Sequence, residues 1–181
     1  MASPTPKSKR TCSVSSPPRV VLFDAYPHLL GGAQRTLLAV ASELVARGEP
    51  PTVVLPGDGA LATAARARSI PVDVVPLPAV LTRFGRSTTG RHAVAAAAAL
   101  PIAWARLRAA FLRSGAALVH AADHRGALLA APAARAARLP VVWHVHSVDV
   151  EGRFVERTAG RLVGALVAPS AAALLALGAV P

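Results

Sequence analysis

The stretch that decides the fold is RVVLFDAYPHLLGGAQ, at residues 19–34. Its residues 20–23 form a continuous apolar run, as expected of a strand that is buried on both faces of a sheet. Residues 32–47 follow with helical character and end at Arg47 and Gly48, which place a cation in the last turn and a glycine at the cap. This opening predicts a buried strand that leads directly into a helix.

Short apolar runs continue to alternate with helical stretches along the chain. The alternation predicts an α/β fold with a doubly wound, mostly parallel, Rossmann-like sheet, because helices must cover both faces of such a sheet. The further apolar runs are Val53–Leu55, Val72–Val75, Leu118–Val119, Val141–Val145 and Leu166–Val167, and helices are expected near 32–47, 59–68, 91–113, 124–138, 150–161 and 170–177.

The length of 181 residues suits one α/β domain, which we assign to residues 19–181. Residues 1–18 are basic and rich in proline and serine, so they are expected to form a disordered tail. No apolar segment follows their basic residues, so they do not resemble a secretory signal. The single cysteine, Cys12, provides neither a disulfide framework nor a Cys/His metal cluster, and we expect a cytoplasmic location.

The formal net charge of +11 suggests an anionic partner: nucleic acid, a phosphorylated substrate or an anionic membrane surface. Nucleic acid is the weakest of these, because few aromatic residues are available to stack on bases. Residues 74–122 contain no Asp or Glu, but they contain Arg83, Arg86, Arg91, Arg106, Arg108 and Arg113.

The helix expected at 91–113 has two interpretations. Leu100, Trp104, Leu107 and Phe111 share one side at helical spacing. The helix is either an ordinary surface helix with a solvated basic side, or a peripheral membrane contact that uses its cations and Trp104. Its Ala-rich stretch, Val94–Ala105, is expected to be too short to span a bilayer.

Polar residues cluster where a doubly wound fold places its ligand site, beyond the carboxyl ends of the strands. The loops after the first, fourth and fifth strands contain YPHLLGG (26–32), HAADH (120–124) and HSVD (146–149). We expect Gln34, His120, Asp123 and Ser147 to contact substrate.

Gly31 and Gly32 stand where the first helix begins. They either bring the backbone and the amides of the helix N-terminus close to an anionic ligand, or simply form a tight turn. The pair is not a G-x-G-x-x-G fingerprint, and no acidic residue follows the second strand, so a nicotinamide-dependent dehydrogenase is disfavoured. Ser147 and Ser170 lack the G-x-S-x-G context of a hydrolase, and Ser170 is more simply a helix N-cap.

Three histidines are expected at the crevice. His144 and His146 share one side of the fifth strand by its two-residue period, but no third ligand has suitable spacing, so no metal is expected. His144 is more simply a packed histidine, whereas His146 lies at the strand end beside Ser147 and is the better candidate for chemistry. His120 fits packing and a site equally well.

Several segments, taken in order, resemble family-4-type retaining glycosyltransferases. The resemblance covers roughly residues 19–181, and its motifs are GGAQRTLL (31–38), LVARG (44–48), GDGAL (57–61), IPV (70–72), LVHA (118–121), VHS (145–147) and VAPS (167–170). It departs from the family after His120, where Ala121 and Ala122 replace the usual second histidine, and at Pro181, where relatives continue into a second domain.

The resemblance implies the N-terminal, acceptor-side half of a two-domain GT-B enzyme, with a separate donor-binding domain that this chain lacks. Such an enzyme transfers a sugar from a nucleotide-sugar to a sugar, lipid or small-molecule acceptor, with retention and without a metal. By this resemblance Gly31 and Gly32 border the donor diphosphate, and His146 lies at the reaction centre. The alternative is a non-catalytic Rossmann-like module that binds an anionic partner or membrane through its basic face.

Overall fold

The computed structural model describes residues 19–82, 90–146 and 153–176. In this part of the chain, strands and helices alternate as the sequence predicts. The strands are β1 (Arg19–Phe23), β2 (Thr52–Leu55), β3 (Val72–Val74), β4 (Ala116–Ala121), β5 (Val141–His144) and β6 (Ala165–Val167). The helices are α1 (Gly32–Ala46), α2 (Ala60–Arg66), α3 (Ala79–Thr82), α4 (Arg91–Arg113), α5 (His124–Ala136), α6 (Arg153–Leu162) and α7 (Ala171–Ala176).

The six strands form one parallel sheet in the order β3-β2-β1-β4-β5-β6. The prediction of a doubly wound α/β sheet is therefore confirmed. The chain builds outward from β1 in one direction and then returns to build from β4 in the other. The strand order thus reverses between β1 and β4, and a crevice opens beyond the carboxyl ends of these two strands.

Apolar cores lie on both faces of the sheet. On one face, Phe23 and Val119 pack against residues of α4 and α5, including Phe111. On the other face, Leu22 and Val53 pack against α1 and α2. Since adjacent residues of a strand point to opposite faces, the continuous apolar run of β1 supplies both cores.

The predicted glycine stop after α1 and the predicted serine cap of α7 are present, and a glycine also follows α4. Arg47 is the C-cap of α1 and does not lie in its last turn. Gly48 and Gly115 follow α1 and α4 with φ of 77° and 65°, a conformation that glycine adopts without a steric penalty. Ser170 caps α7, because its Oγ accepts a hydrogen bond from the amide of Ala173 at 3.3 Å.

Most elements differ from the predicted bounds by one or two residues at an end, and two elements differ in kind or extent. β4 extends two residues beyond the predicted pair at each end, because the small residues around Leu118 and Val119 still pair with β1. The four-residue α3 is not predicted, since it is too short to show helical periodicity. Positions 150–152 and 177 of the predicted helices lie outside the described residues.

The alanine-rich segment Val94–Ala105 is part of the longer helix α4. This helix of 23 residues is long and apolar enough to cross a membrane by length and composition alone, with a mean hydropathy of 1.3 over its best window. Its Leu107 and Phe111 are buried in the sheet core, and Trp104 packs against the same core. Trp104 is therefore a packing residue rather than the membrane contact proposed from sequence.

Candidate functional site

Two carboxylates lie at the strand-order reversal, one after β1 and one after β4. Asp24 is completely buried, and its Oδ1 accepts a hydrogen bond from the amide of Tyr26 at 2.7 Å. Asp123 caps α5 by accepting from the amide of Gly126 at 2.7 Å, and it also accepts from the amide of Ala25 at 3.4 Å. Together they hold the start of the loop that joins β1 to α1.

Both carboxyl groups resist ionisation. Burial, together with the nearby charge of Asp123, raises the pKa of Asp24 to about 7, against the hydrogen bonds from Tyr26 and Gln34. Burial also raises the pKa of Asp123, although the amide of Gly126 and the charge of His124 oppose this rise. Asp24 is therefore poised between its two protonation states near neutral pH.

Gln34 connects this carboxyl pair to the start of α1. Its Nε2 donates to Oδ2 of Asp24 at 2.9 Å, and its Oε1 accepts from the amide of Gly31 at 3.1 Å. The side chain is buried, and both ends of its amide are engaged in the fold. The contact of Gln34 with substrate stays a prediction. The structure shows in addition that Gln34 links Asp24 to the start of α1.

The two glycines differ in their surroundings. A Cβ at Gly31 would come within 3.2 Å of Gln34 Oε1, whereas a Cβ at Gly32 would meet nothing within 4 Å. The amide of Gly31 is already donated to Gln34. The first amides of a helix have no intrahelical acceptor, so the open approach to α1 lies at Gly32 and Ala33.

A small pocket brings three of the predicted site residues together. Gln34, Asp123 and His146 line a cavity of about 190 Å³, with Tyr26 and Trp143 among its other walls. In these walls Trp143 Nε1 and His146 Nε2 are buried and find no hydrogen-bond partner among the described residues. Buried polar groups without a hydrogen-bond partner in the protein can form hydrogen bonds with a ligand.

A larger pocket lies on the other side of the β1–α1 loop and was not predicted. Its volume is about 600 Å³, and it is lined mainly by apolar side chains and backbone from this loop, the β2–α2 loop and α3. Tyr26 and Leu29 line both pockets. Arg125 lies over the ring of Tyr26 at 4.7 Å, a cation–π contact. Pro56 and Gly57, the turn residues after β2, also line this pocket, although Gly57 entered the sequence comparison only as part of the GDGAL motif.

The three histidines form a row across β4 and β5. The rings of His120 and His144 meet edge to face at 5.6 Å, and those of His144 and His146 stack at 4.2 Å. The register explains the row, because His120 pairs with Val142, and His144 and His146 follow it at the two-residue period. The prediction that the last two share a side of the strand is confirmed.

The histidines are held in the neutral form. Burial, together with the nearby His144 and His146, lowers the pKa of His120 to about 4. Burial also lowers the pKa of His144 and of His146, the latter with a contribution from His144. At neutral pH His146 is therefore a neutral hydrogen-bonding group rather than a cation.

Two predictions remain for this site, the contact of Ser147 with substrate and the absence of a metal. Ser147 lies outside the described residues, so its predicted contact with substrate stays a prediction. Within residues 19–82, 90–146 and 153–176, no group of three or more His, Cys, Asp or Glu side chains is arranged to hold a metal ion. Asp24 was not predicted, although an acidic residue directly after a buried strand is a visible signal in a chain with only nine.

The comparison with protein families decides the assignment. Residues 31–180 match the model of the glycosyl transferase 4-like domain. The chain belongs to the glycosyl transferase 4-like family. The match includes Gly31, Gly32, Gln34, His120, Asp123 and His146, so the predicted site falls inside the family domain. The search of curated protein sequences gave no match.

Solved glycosyltransferases share the fold. HepE of Anabaena, solved in complex with UDP-glucose, is 23% identical, with a TM-score of 0.63 over 88% of this chain and 39% of its own. MurG of Acinetobacter baumannii is 17% identical, with a TM-score of 0.59 over 84% of this chain and 41% of its own. The glycosyl transferase 4-like chain thus spans about 40% of the length of these GT-B structures.

A further structure limits what the fold alone can say. A protein of Listeria monocytogenes described as a candidate UDP-N-acetylglucosamine 2-epimerase is 10% identical, with a TM-score of 0.62 over 89% of this chain and 42% of its own. The same sheet therefore serves proteins named for different reactions. Transferase character rests on the family match, and the chemistry must be argued from the site.

Proposed function

We propose that this chain forms the acceptor-side half of a retaining glycosyltransferase and contributes one wall of its reaction centre. The observation that supports this most directly is the pocket where Gln34, Asp123 and His146 meet at the strand-order reversal. The loops after β1, β4 and β5 converge there, as expected for a ligand site in a doubly wound sheet. A nucleotide-sugar is the proposed donor, since HepE binds UDP-glucose on the same fold.

The donor diphosphate is proposed to approach the N-terminus of α1. Amides of the first helical turn and the helix dipole favour an anion there. Gly32 supports this role more strongly than Gly31, because space is open at Gly32 while the amide of Gly31 is donated to Gln34. Backbone amides fixed in this way could stabilise the charge that develops on the leaving diphosphate without a resident metal.

His146 is proposed to lie against the reacting sugar. Its Nε2 is buried in the pocket wall, is without a hydrogen-bond partner among the described residues, and belongs to a ring that is neutral at pH 7. A neutral imidazole can donate a hydrogen bond to a sugar hydroxyl or accept one from it. Such a contact contributes to the rate if it strengthens in the transition state.

The acceptor is proposed to occupy the larger pocket beside the β1–α1 loop. A cavity of about 600 Å³ with apolar walls suits a ligand the size of a monosaccharide or larger. Tyr26 and Leu29 separate it from the smaller pocket, so an acceptor hydroxyl could reach across this divide.

The test uses the protein as it occurs in its source, with whichever donor-binding domain it carries. Release of UDP from UDP-glucose in the presence of candidate acceptors measures transfer. We expect His146→Ala to lower kcat about 10²-fold, the usual cost of removing one hydrogen bond from a transition state. His92→Ala is the matched control, because His92 is exposed in α4 and does not line either pocket.

Two results would contradict the proposal. Transfer that is unchanged by His146→Ala would remove this residue from the reaction centre. Retention is read separately from the first product formed, by NMR of its anomeric proton. An α-linked donor should give an α-linked product, and a β-linked product would show inversion.

A further inference from the structure

The outer side of α4 carries an apolar stripe that the fold does not cover. Val94, Ile102 and Leu112 are 71%, 52% and 48% exposed, and they account for three of the seven large apolar side chains exposed in the described residues. At 100° per residue they lie within about 80° of one another around the helix. Small exposed apolar residues continue the stripe, namely Ala97, Ala98, Pro101, Ala105 and Ala109.

The opposite side of α4 already serves the core. Ala103, Leu107 and Phe111 are fully buried against the sheet and α5. The helix is therefore apolar on both sides, whereas a helix that covers a sheet in water normally has a polar outer side. A contiguous exposed apolar surface of this kind is typical of an interaction site.

Arginines border the stripe. Arg91 lies at its start and Arg108 lies within it near its end, while Arg106 lies at its edge, where its Nη1 also donates to the carbonyl of Pro76 at 2.6 Å. Arg108 Nε donates to the carbonyl of Ala136 at 3.1 Å, which brings α5 and its exposed Arg135 alongside. No acidic residue lies between Asp73 and Asp123, so the field around α4 is positive apart from the pair that Arg113 makes with Asp73 at 3.1 Å.

We propose that the outer side of α4 rests on an anionic lipid surface, parallel to the membrane plane. Apolar side chains would enter the boundary between headgroups and acyl chains, while the flanking guanidinium groups would meet lipid phosphates. The helix is about 34 Å long at 1.5 Å per residue. Its buried inner side argues against crossing the bilayer, since insertion would require α4 to leave the core.

Co-sedimentation of the 181-residue chain with vesicles tests this surface. We expect binding to phosphatidylcholine vesicles that contain phosphatidylglycerol, weak binding to pure phosphatidylcholine, and release by raised salt. Ile102→Glu should weaken binding about tenfold or more, and so should the pair Arg106→Glu and Arg108→Glu. Leu175→Glu should leave binding unchanged, because Leu175 is equally exposed but lies on α7.

A second control separates local from overall charge. Arg47→Glu with Arg68→Glu makes the same change in net charge on exposed residues directly after α1 and in the turn after α2, and it should weaken binding much less. Equal loss in both arginine pairs, or no loss with Ile102→Glu, would overturn the proposal. So would retention on vesicles after a high-salt wash, which indicates insertion. Self-association without lipid that Ile102→Glu abolishes would assign the stripe to a second copy instead.

Discussion

At the scale of single residues, Asp24, directly after β1, and His120, in the neighbouring strand β4, have pKa values displaced in opposite senses. The pKa of Asp24 rises from 3.8 to about 7, and that of His120 falls from 6.5 to about 4, both mainly because of burial. Each shift favours the neutral form. The two residues therefore oppose one another in the dependence of stability on pH.

The signs follow from proton binding in the folded and unfolded states. Asp24 binds its proton more tightly when folded, so its contribution to stability is present below pH 3.8 and is lost as the pH rises to 7. His120 binds its proton less tightly when folded, so its contribution is present above pH 6.5 and is lost as the pH falls to 4. The pKa difference of His120 corresponds to a change of about 3 kcal/mol in the free energy of unfolding between pH 6.5 and pH 4.

We expect single substitutions to reveal these two opposing slopes. Relative to the parent, Asp24→Asn should become progressively more stable from pH 5 to pH 7, because only the parent must ionise a buried carboxyl. Relative to the parent, His120→Leu should become more stable from pH 7 to pH 5. Denaturant unfolding at several pH values measures both. A constant difference from the parent would show that the pKa of the substituted group is the same in the folded and unfolded states.

Sequence reasoning found the residues of the small pocket but not how they are held. His146, Asp123 and Gln34 follow from strand ends and loop order, since a parallel sheet collects its carboxyl ends at one edge. Asp24 was missed because its role depends on burial beside Asp123, and burial is set by tertiary packing. The two hydrogen bonds of the Gln34 side-chain amide could not be predicted for the same reason.

At the scale of elements, the β1–α1 loop is fixed by contact with the start of α2. The amide of Leu61 donates to the carbonyl of Pro27 at 3.0 Å. A Cβ at Gly59 would lie 2.5 Å from that same carbonyl oxygen and 2.7 Å from His28 Nδ1. Only a residue without a side chain allows this approach, so Gly59 sets the position of a loop that lines both pockets.

Gly59→Ala should therefore displace the β1–α1 loop. We expect a loss of roughly 1–3 kcal/mol in the free energy of unfolding, typical of an overpacked site. The amide NMR signals of Tyr26 and His28 should shift as the loop moves. Gly57→Ala is the matched control, since its Cβ would meet Pro27 Cγ at an ordinary 3.8 Å and should cost little. Equal effects of the two substitutions would contradict the tight approach.

Elements were more predictable than single contacts. The alternating pattern gives all six strands, because parallel strands buried on both faces must be short and apolar. It also gives the bounds of α4, a helix that begins after Gly90 and ends before Ser114 and Gly115. The pattern could not give α3, whose four residues are positioned by packing of Leu81 rather than by periodicity.

At the scale of the whole molecule, this chain holds one side of a site. The small pocket of about 190 Å³ is below the range usual for enclosed ligand sites, and a nucleotide-sugar would extend well beyond it. The solved GT-B relatives are about two and a half times as long as their matched portion. We therefore expect the donor to be held mainly by a second domain, on the same chain or on a partner.

Calorimetric titration with UDP-glucose tests whether the donor is held mainly by a second domain. The 181-residue chain should bind it weakly, with Kd in the millimolar range or above, because only α1 amides and a few pocket groups contribute. The protein purified from its source should bind at least about tenfold more tightly, as its donor-binding wall is then present. Its intact mass distinguishes a longer single chain, well above 18.5 kDa, from a complex with a separate subunit. Tight binding by the 181-residue chain alone would mean that these residues hold the donor without help, and the second wall would then have to be found among them.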